Sequence, residues 1–403
     1  MTLAKLLDSA LDERVLIFGS LPPAARDLDV LARPREAAAL AAFLAEQGFI
    51  AHHGAWVHFH DCTVDALDLV STEEFGADAE ATQTAFAAAV PLQGFECLAR
   101  PAPWHVLLLI ARHNESSGGE LSAKRRARID SVLAEEGDAW SLAATRAEEW
   151  QAQTALATLR ALWAEKQSPQ RRRQASRPHV VALSGVDGAG KTTQVEALKL
   201  SLERLGIETE EEYVRLEWTT LTQNPLLNVV ATPVKALVRL GRRLAHGVPG
   251  STTGEDDSAR SIRKRNPVIR NGWVLVIALA HAWAQRKVGR PRRADVVICT
   301  RYTLDAIVAL RFGYVADRPL RLAAGLLRKL SPRPLRAYYL NVDAEVAFAR
   351  RAEQFGLPEL ERLTALYRQE CKANNVVSLD GTASREALCE TIALDVWSAV
   401  VGR

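Results

Sequence analysis

An α/β architecture follows from two patterns in the sequence. From residue 179 onward, short apolar runs of strand length alternate with helical stretches: strand 179–184, helix 192–205, strand 207–214, helices, then strands 295–299, 336–342 and 375–379, each followed by a helix. Such alternation predicts a parallel sheet with helices on both faces. Residues 1 to 100 alternate in the same manner through "RVLIFG", "DLDVLA", the helix "REAAALAAFLAEQGF", "WVHFHD" and "ALDLVS", which predicts a second α/β domain.

The bulk numbers narrow the class. A chain of 403 residues, 48% hydrophobic and 25% charged, has material for ordinary globular cores in two or three domains. A net charge of +3 creates no strong field for nucleic acid or membrane, so no specific nucleic-acid partner is expected. Cys62, Cys97, Cys299, Cys371 and Cys389 are widely spaced and form no CxxC pair, which points to free thiols in a reducing compartment. The opening "MTLAKLLDSALDERVLIF" lacks the basic and apolar regions of a signal peptide. The longest apolar stretch, Trp273 to Trp283, is too short to span a bilayer. A cytoplasmic location is expected.

Four segments follow from composition. Residues 1–100 form the first α/β domain. Residues 101–164 read as a helical connector anchored by Trp140, Trp150 and Trp163, and 165–178, with "KQSPQRRRQASR", as a polar basic linker. The second α/β domain occupies 179–403.

That domain opens with "SGVDGAGKTTQ", residues 184 to 194. Gly185, Gly190, Lys191 and Thr192 satisfy GxxxxGK[ST], between a buried strand and a helix whose apolar stripe is Val195, Leu198, Leu202 and Leu205. Gly206 is placed to end that helix. Glycines let main-chain N–H groups turn inward around a phosphate, and the helix N-terminus adds its dipole. Lys191 supplies a point charge for the outer phosphates, and the Thr192 hydroxyl is a hard oxygen ligand for Mg²⁺. Gly188, Ala189 and Thr193 complete the candidate phosphate cradle. Asp187 is at odds with that role, because its charge repels a phosphate.

The stretch "VALSGVDGAGKTTQ" resembles the opening of thymidylate kinases, members of the P-loop nucleoside monophosphate kinase group. The resemblance implies a P-loop NTPase sheet, ATP and Mg²⁺, and an Asp187 that faces the phosphoryl acceptor and bonds a sugar hydroxyl. "ADVVICTRYTLDAIVAL" resembles the family strand ending in Asp-Arg-Tyr, so Arg301 is implied to reach the acceptor or the transferring phosphate. "RAYYLNVDAEVAFARR" is similar to the next strand and the lid helix, which puts Arg350 and Arg351 where lid arginines clamp the phosphoryl group. Both also read as solvated helix arginines. "VVSLDGTASREAL" looks like the turn bordering the adenine, with Asp380, Gly381 and Thr382. The implied reaction is transfer to a nucleoside monophosphate (thymidylate-like) or related small phosphate- or hydroxyl-bearing acceptor, and the analogy to thymidylate kinases, which are commonly dimers, offers a homodimer as the expected assembly.

The chain departs from the family in two places. Thr300 stands where the family carboxylate helps hold Mg²⁺; Asp305, one helical turn on, reads either as a compensating metal ligand or as a helix N-terminal cap. The Arg-Glu-Pro-Gly segment is replaced by "YVRLEWTTLTQNP", with Arg215 as its candidate substitute, and the Asp-Arg-x-x-His stretch by "LAHAWAQRK", in which His281 reads as a structural helix residue.

In the first domain, Gly19-Ser20, Asp27-x-Asp29 and Asp68 lie on or beside predicted strands. Alternation puts Asp27 and Asp29 on one face, where both can reach one metal pair. The set resembles the nucleotidyltransferase fold, in which Gly-Ser holds donor phosphates and three carboxylates bind metal. The loop from Ser20 to Asp27 is tighter than usual for that fold, so catalytic and degenerate or regulatory readings both stand. Asp65 competes with Asp68 as third carboxylate. His52, His53, His58 and His60 lack helical ligand spacing and read as strand and turn residues.

The stretch "TPVKALVRLGRRLAHG", with Val234, Leu237 and Leu240 flanked by Lys235, Arg239, Arg242 and Arg243, reads as a surface helix near an anionic substrate or as a membrane-surface helix. Three activities remain consistent with these motifs: a kinase, a nucleotide-sensing switch, and a nucleotidyltransferase whose P-loop domain supplies or senses nucleotide.

Overall fold

The computed structural model describes residues 2–22, 27–52, 55–74, 79–116, 121, 123–165, 175–214, 267–314, 317–350 and 355–402. His53, most of the basic linker, Arg215, the "TPVKALVRLGRRLAHG" stretch and Arg351 lie outside the described residues. The chain divides into two compact units, Met1–Arg173 and Gln174–Arg403.

The first unit runs α1 (Leu3–Asp8), β1 (Val15–Ile17), β2 (Asp27–Ala32), α2 (Pro34–Glu46), β3 (Ile50–His52), β4 (Ala55–His60), β5 (Thr63–Ser71), α3 (Ala79–Ala87), β6 (Val90–Pro91) and β7 (Leu98–Arg100). It continues with α4 (Pro103–Ser116), α5 (Ala123–Glu135), α6 (Ala139–Arg146) and α7 (Gln153–Ala164). Its strands form one mixed sheet in the order β3-β4-β5-β2-β1-β7-β6. Among the described residues, only β2 with β5 and β1 with β7 pair in parallel.

Strand alternation sorts the side chains into two cores. Val15 and Ile17 of β1, with Leu28 and Val30 of β2, pack on one face against Leu3, Leu7, Leu40 and Leu44 of α1 and α2. Leu16, Phe18 and Leu31 turn to the other face, where Val106 to Ala111 of α4 and Trp140, Trp150 and Leu159 cover them. The helices of 101–164 are therefore a layer of the first unit and not the separate connector that their composition suggested. Their apolar faces have no core of their own and bury against the sheet. Trp140 and Trp150 are buried as packing anchors, and Trp163 packs beside them.

His105 of α4 is fully buried, and neither ring nitrogen has a hydrogen-bond partner among the described residues. Burial, then the charge of Arg146, push its pKa from the ordinary 6.5 down to about 4. The folded state thus prefers neutral imidazole. This stability is complete above pH 6.5 and is lost as pH falls toward 4, where the unfolded chain binds the proton first. The loss amounts to about 3 kcal/mol. Tryptophan-monitored urea unfolding at pH 7.5 and 4.5 is expected to show this drop, and His105→Leu to shrink it without weakening the fold at neutral pH.

The second unit runs β8 (His179–Ser184), α8 (Lys191–Arg204), β9 (Thr209–Tyr213), α9 (Pro267–Val288), β10 (Val296–Thr300), α10 (Thr303–Gly313) and α11 (Asp317–Leu330). It closes with β11 (Arg336–Asn341), α12 (Ala344–Arg350), α13 (Leu357–Ala373), β12 (Val377–Asp380) and α14 (Arg385–Val401). The sheet order is β12-β11-β8-β10-β9, and each neighbouring pair is parallel. Central β8 and β10 are buried along almost their whole length, whereas edge β9 carries three glutamates, a composition suited to a solvated edge. The apolar run of α9 is internal: Val274, Ala278 and Ala282 pack against Ile307 and Leu310 of α10 and Ala323 and Leu327 of α11. No helix among the described residues is long and apolar enough to cross a membrane. His281 is held neutral by burial, its pKa pushed down to about 4, in keeping with a structural helix residue.

Candidate functional site

The chain leaves the carboxyl end of central β8 through Gly185 to Gly190 and enters α8 at Lys191. Gly188 has φ +87°, a left-handed conformation, and a Cβ there would stand 2.7 Å from the Ala347 carbonyl oxygen. Glycine at this position lets the loop and α12 touch. Gly190 caps α8 with its main chain alone and supplies no side-chain acceptor to the first-turn N–H groups of that helix. Lys191 Nζ donates to the carbonyls of Gly185 and Val186, both at 2.9 Å, and stands 3.7 Å from Asp187 Oδ1. Burial lowers the Lys191 pKa, opposed by Asp305 and Asp187.

A cavity of about 330 Å³ opens above this loop, lined by Asp187, Gly188, Gly190, Lys191, Thr192 and Thr193 together with Thr300, Arg301 and Arg350. Arg301 donates from Nη2 to Asp187 Oδ1 at 2.7 Å. Arg350 Nη1 donates to the Gly381 carbonyl at 3.3 Å and reaches the Gly188 carbonyl at 3.5 Å, so it ties α12 to both the loop and the turn after β12. Gly381 sits in that turn against Asn341 and Val342, and Thr382 donates from its N–H and hydroxyl to Asp380. Gly381 and Thr382 flank the cavity without lining it, as do buried Ala189 and Gly185.

Arg301 has φ +64°, which is unfavourable for a residue with a Cβ. The next residue explains how it is held. Tyr302 donates its N–H to Asp305 Oδ2 at 3.0 Å, Ser184 Oγ donates to the same oxygen at 2.6 Å, and Tyr367 donates to Asp305 Oδ1 at 2.7 Å. Asp305 is buried, has donors on both oxygens, and does not line the cavity. Of its two sequence readings, the geometry matches the helix cap and not the metal ligand.

Two cavity residues escaped sequence reasoning. Tyr213 pairs in register with Thr300, and the Arg301 guanidinium lies 5.8 Å from its ring centroid. Glu211, two residues earlier on the same face of β9, lines the cavity and has no ion pair among the described residues. Strand parity beside Thr300 was the available signal, but it requires knowing that β9 borders β10. Searches against known proteins fill in nothing further. The chain matches no protein-family model and no curated protein.

In the first unit, Asp29 and Asp68 are register partners on parallel β2 and β5. One carboxylate oxygen from each and one ring nitrogen of His113 lie within 4.8 Å of one another. Of the expected carboxylates Asp27, Asp29 and Asp68, Asp27 is not part of this group although it shares the strand face of Asp29, and the third member is instead His113 of α4. Asp65 faces elsewhere and accepts from His60 Nε2 at 2.9 Å, and His58 stacks on His60. Gly19 and Ser20 line a neighbouring cavity of about 320 Å³ with Asp29, His113, Arg125 and Arg128.

Proposed function

We propose that the second unit transfers the γ-phosphoryl of ATP, with Mg²⁺, to a small acceptor bearing a hydroxyl or phosphate, the nucleoside monophosphates being the class that the thymidylate kinase resemblance implies. One observation carries the reading: Lys191, Arg301 and Arg350 converge with an uncapped helix N-terminus on one cavity at the carboxyl end of a parallel sheet. That is where open α/β sheets bind ligands.

Phosphoryl transfer asks little covalent help and much positive charge around three equatorial oxygens. In this reading the acceptor oxygen bonds to the γ-phosphorus as the bond to the ADP oxygen breaks; a phosphate acceptor attacks as the anion, and a hydroxyl acceptor passes its proton to Asp187 or to water. The loop amides and Lys191 hold the outer phosphates. Arg301 and Arg350 take the charge that spreads over the moving group. A bound Mg²⁺ would neutralise the phosphates further, with Thr192 and Glu211 as the oxygen donors on hand. Asp187 marks the acceptor side: its carboxylate is held by Arg301 at 2.7 Å, and an arriving hydroxyl replaces part of that contact.

The test is an initial-rate assay of the full chain with ATP, Mg²⁺ and a panel of nucleoside monophosphates. Asp187→Ala is expected to raise the acceptor KM about tenfold or more while leaving the ATP Kd nearly unchanged. Tight ATP binding with negligible transfer to every acceptor would refute the kinase and favour the nucleotide switch. That second reading draws on neutral Thr300 and on a lysine engaged by its own loop.

A further inference from the structure

We infer that the second unit binds an oligophosphate, a molecule with two or more linked phosphate groups, in an arginine-lined cleft at the amino ends of its strands. β8 is six residues long, so this cleft and the glycine loop at its far end lie on the order of 20 Å apart, too far for one such ligand to fill both. The inference stands whether or not the phosphoryl-transfer reading of the loop holds.

The cleft, about 450 Å³ in volume, is walled by Arg177 before β8, Arg286 and Arg290 around the end of α9, and Arg333 between α11 and β11; no carboxylate lines it. None of these four guanidiniums has an ion pair or a side-chain hydrogen bond among the described residues. By contrast, Arg292, Arg311, Arg336 and Arg368 of the same unit each meet a carboxylate. Helix ends do not account for the difference. The C-termini of α9 and α11 adjoin the cleft and favour cations, but each carries only about half a negative charge. Four guanidiniums leave an excess that an anion would neutralise.

A second observation points to an oxygen ligand. Ser331 lines both this cleft and a neighbouring cavity of about 800 Å³, is only 7% exposed, and its Oγ has no hydrogen-bond partner among the described residues. A serine near a helix end commonly returns its hydroxyl to a carbonyl of the preceding turn. This donor is left for an oxygen that the protein does not supply.

The walls are held in place. The main chains of Ser176 and Arg292 exchange hydrogen bonds at 3.1 and 2.9 Å, and the Tyr302 hydroxyl donates to the Pro332 carbonyl at 2.8 Å. A Cβ at Gly289 would stand 2.9 Å from Pro332 Cγ, so glycine lets the end of α9 close on the Ser331–Pro332 turn. Charge and geometry then select the ligand. Guanidiniums pair bidentately with phosphate oxygens, and every cation of the cleft is arginine. A single carboxylate or phosphate offsets only part of the four charges, whereas linked phosphates bring several into one cleft. No aromatic side chain lines it to stack a base, so recognition falls on the phosphate chain.

The experiment titrates tripolyphosphate calorimetrically into the full chain, into Arg286→Gln/Arg290→Gln and into Lys191→Ala. The double variant is expected to lose about 100-fold in affinity at one site, about tenfold for each arginine, and Lys191→Ala to keep that site. Ser331→Ala is expected to weaken the same site about fivefold. ATP in place of tripolyphosphate identifies the source: equal affinity at the cleft supports a bare phosphate chain, and tighter ATP binding there supports a nucleotide. Thermal unfolding of each variant controls for folding, and Arg177→Gln/Arg333→Gln serves if the first pair does not fold. Binding that is indifferent to both arginine pairs, binding that disappears in Lys191→Ala, or equal displacement by sulfate at matched ionic strength would overturn the proposal.

Discussion

Lys191→Ala is expected to lower phosphoryl transfer by about 10²–10³-fold or more, equivalent to about 3–4 kcal/mol of transition-state stabilisation. The reason is charge placement. Lys191 is the only residue of the loop with a cationic side chain, and its ammonium is held against the Gly185 and Val186 carbonyls at the floor of the cavity. Fold stability is expected to change little. Removing the side chain deletes two hydrogen bonds worth about 1 kcal/mol each, but it also relieves the burial that lowers the Lys191 pKa. Lys191→Arg keeps the charge without restoring the rate, because a planar guanidinium cannot occupy the place of a compact ammonium. The check is kcat with ATP and the best acceptor, beside thermal unfolding of each variant. Unchanged turnover in Lys191→Ala would dismiss the kinase reading altogether.

The largest stability effect is expected at Asp305. Asp305→Ala orphans three donors at once: the Ser184 hydroxyl, the Tyr302 N–H and the Tyr367 hydroxyl. All three residues are buried, so water cannot take the place of the carboxylate. At about 1–3 kcal/mol for each buried unsatisfied group, the loss is expected to be about 3–5 kcal/mol, a large part of a domain's total stability. Asp305→Asn keeps one acceptor oxygen and lets a hydroxyl turn to receive the amide, so about 1–2 kcal/mol is expected. That milder variant also isolates the functional consequence. With the Tyr302 anchor weakened, Arg301 can leave its strained φ of +64° and draw its guanidinium away from Asp187. Turnover should then fall with little change in the Mg²⁺ requirement. A metal ligand would behave the other way, raising the Mg²⁺ requirement and sparing stability. Urea unfolding and a Mg²⁺ titration of the rate separate the two.

Much of this site was legible because its signals are local. The Gly185 to Thr193 spacing and the apolar stripe of α8 depend only on residues a turn or two apart. In the first unit, alternation placed Asp27 and Asp29 on one face of β2, but it could not show that only Asp29 lies beside Asp68 and His113. Asp305 was open between two readings because its three partners come from Ser184, 121 residues away, Tyr367, 62 residues away, and its own helix start. No pattern along the chain carries those distances.

The sequence by itself determined the α/β alternation, the position of the glycine loop after a buried strand, and the residue types available to it. Periodicity and turn chemistry are properties of neighbouring residues, and they survive without a partner. Tertiary structure alone decided which surfaces meet: that helices 103–164 bury against the first sheet, that β9 brings Glu211 and Tyr213 to the loop, and that α4 delivers His113 to Asp29 and Asp68. An amphipathic face records that it must be covered, but not by what. The identity of the cover is settled only when all the faces compete for the same buried volume.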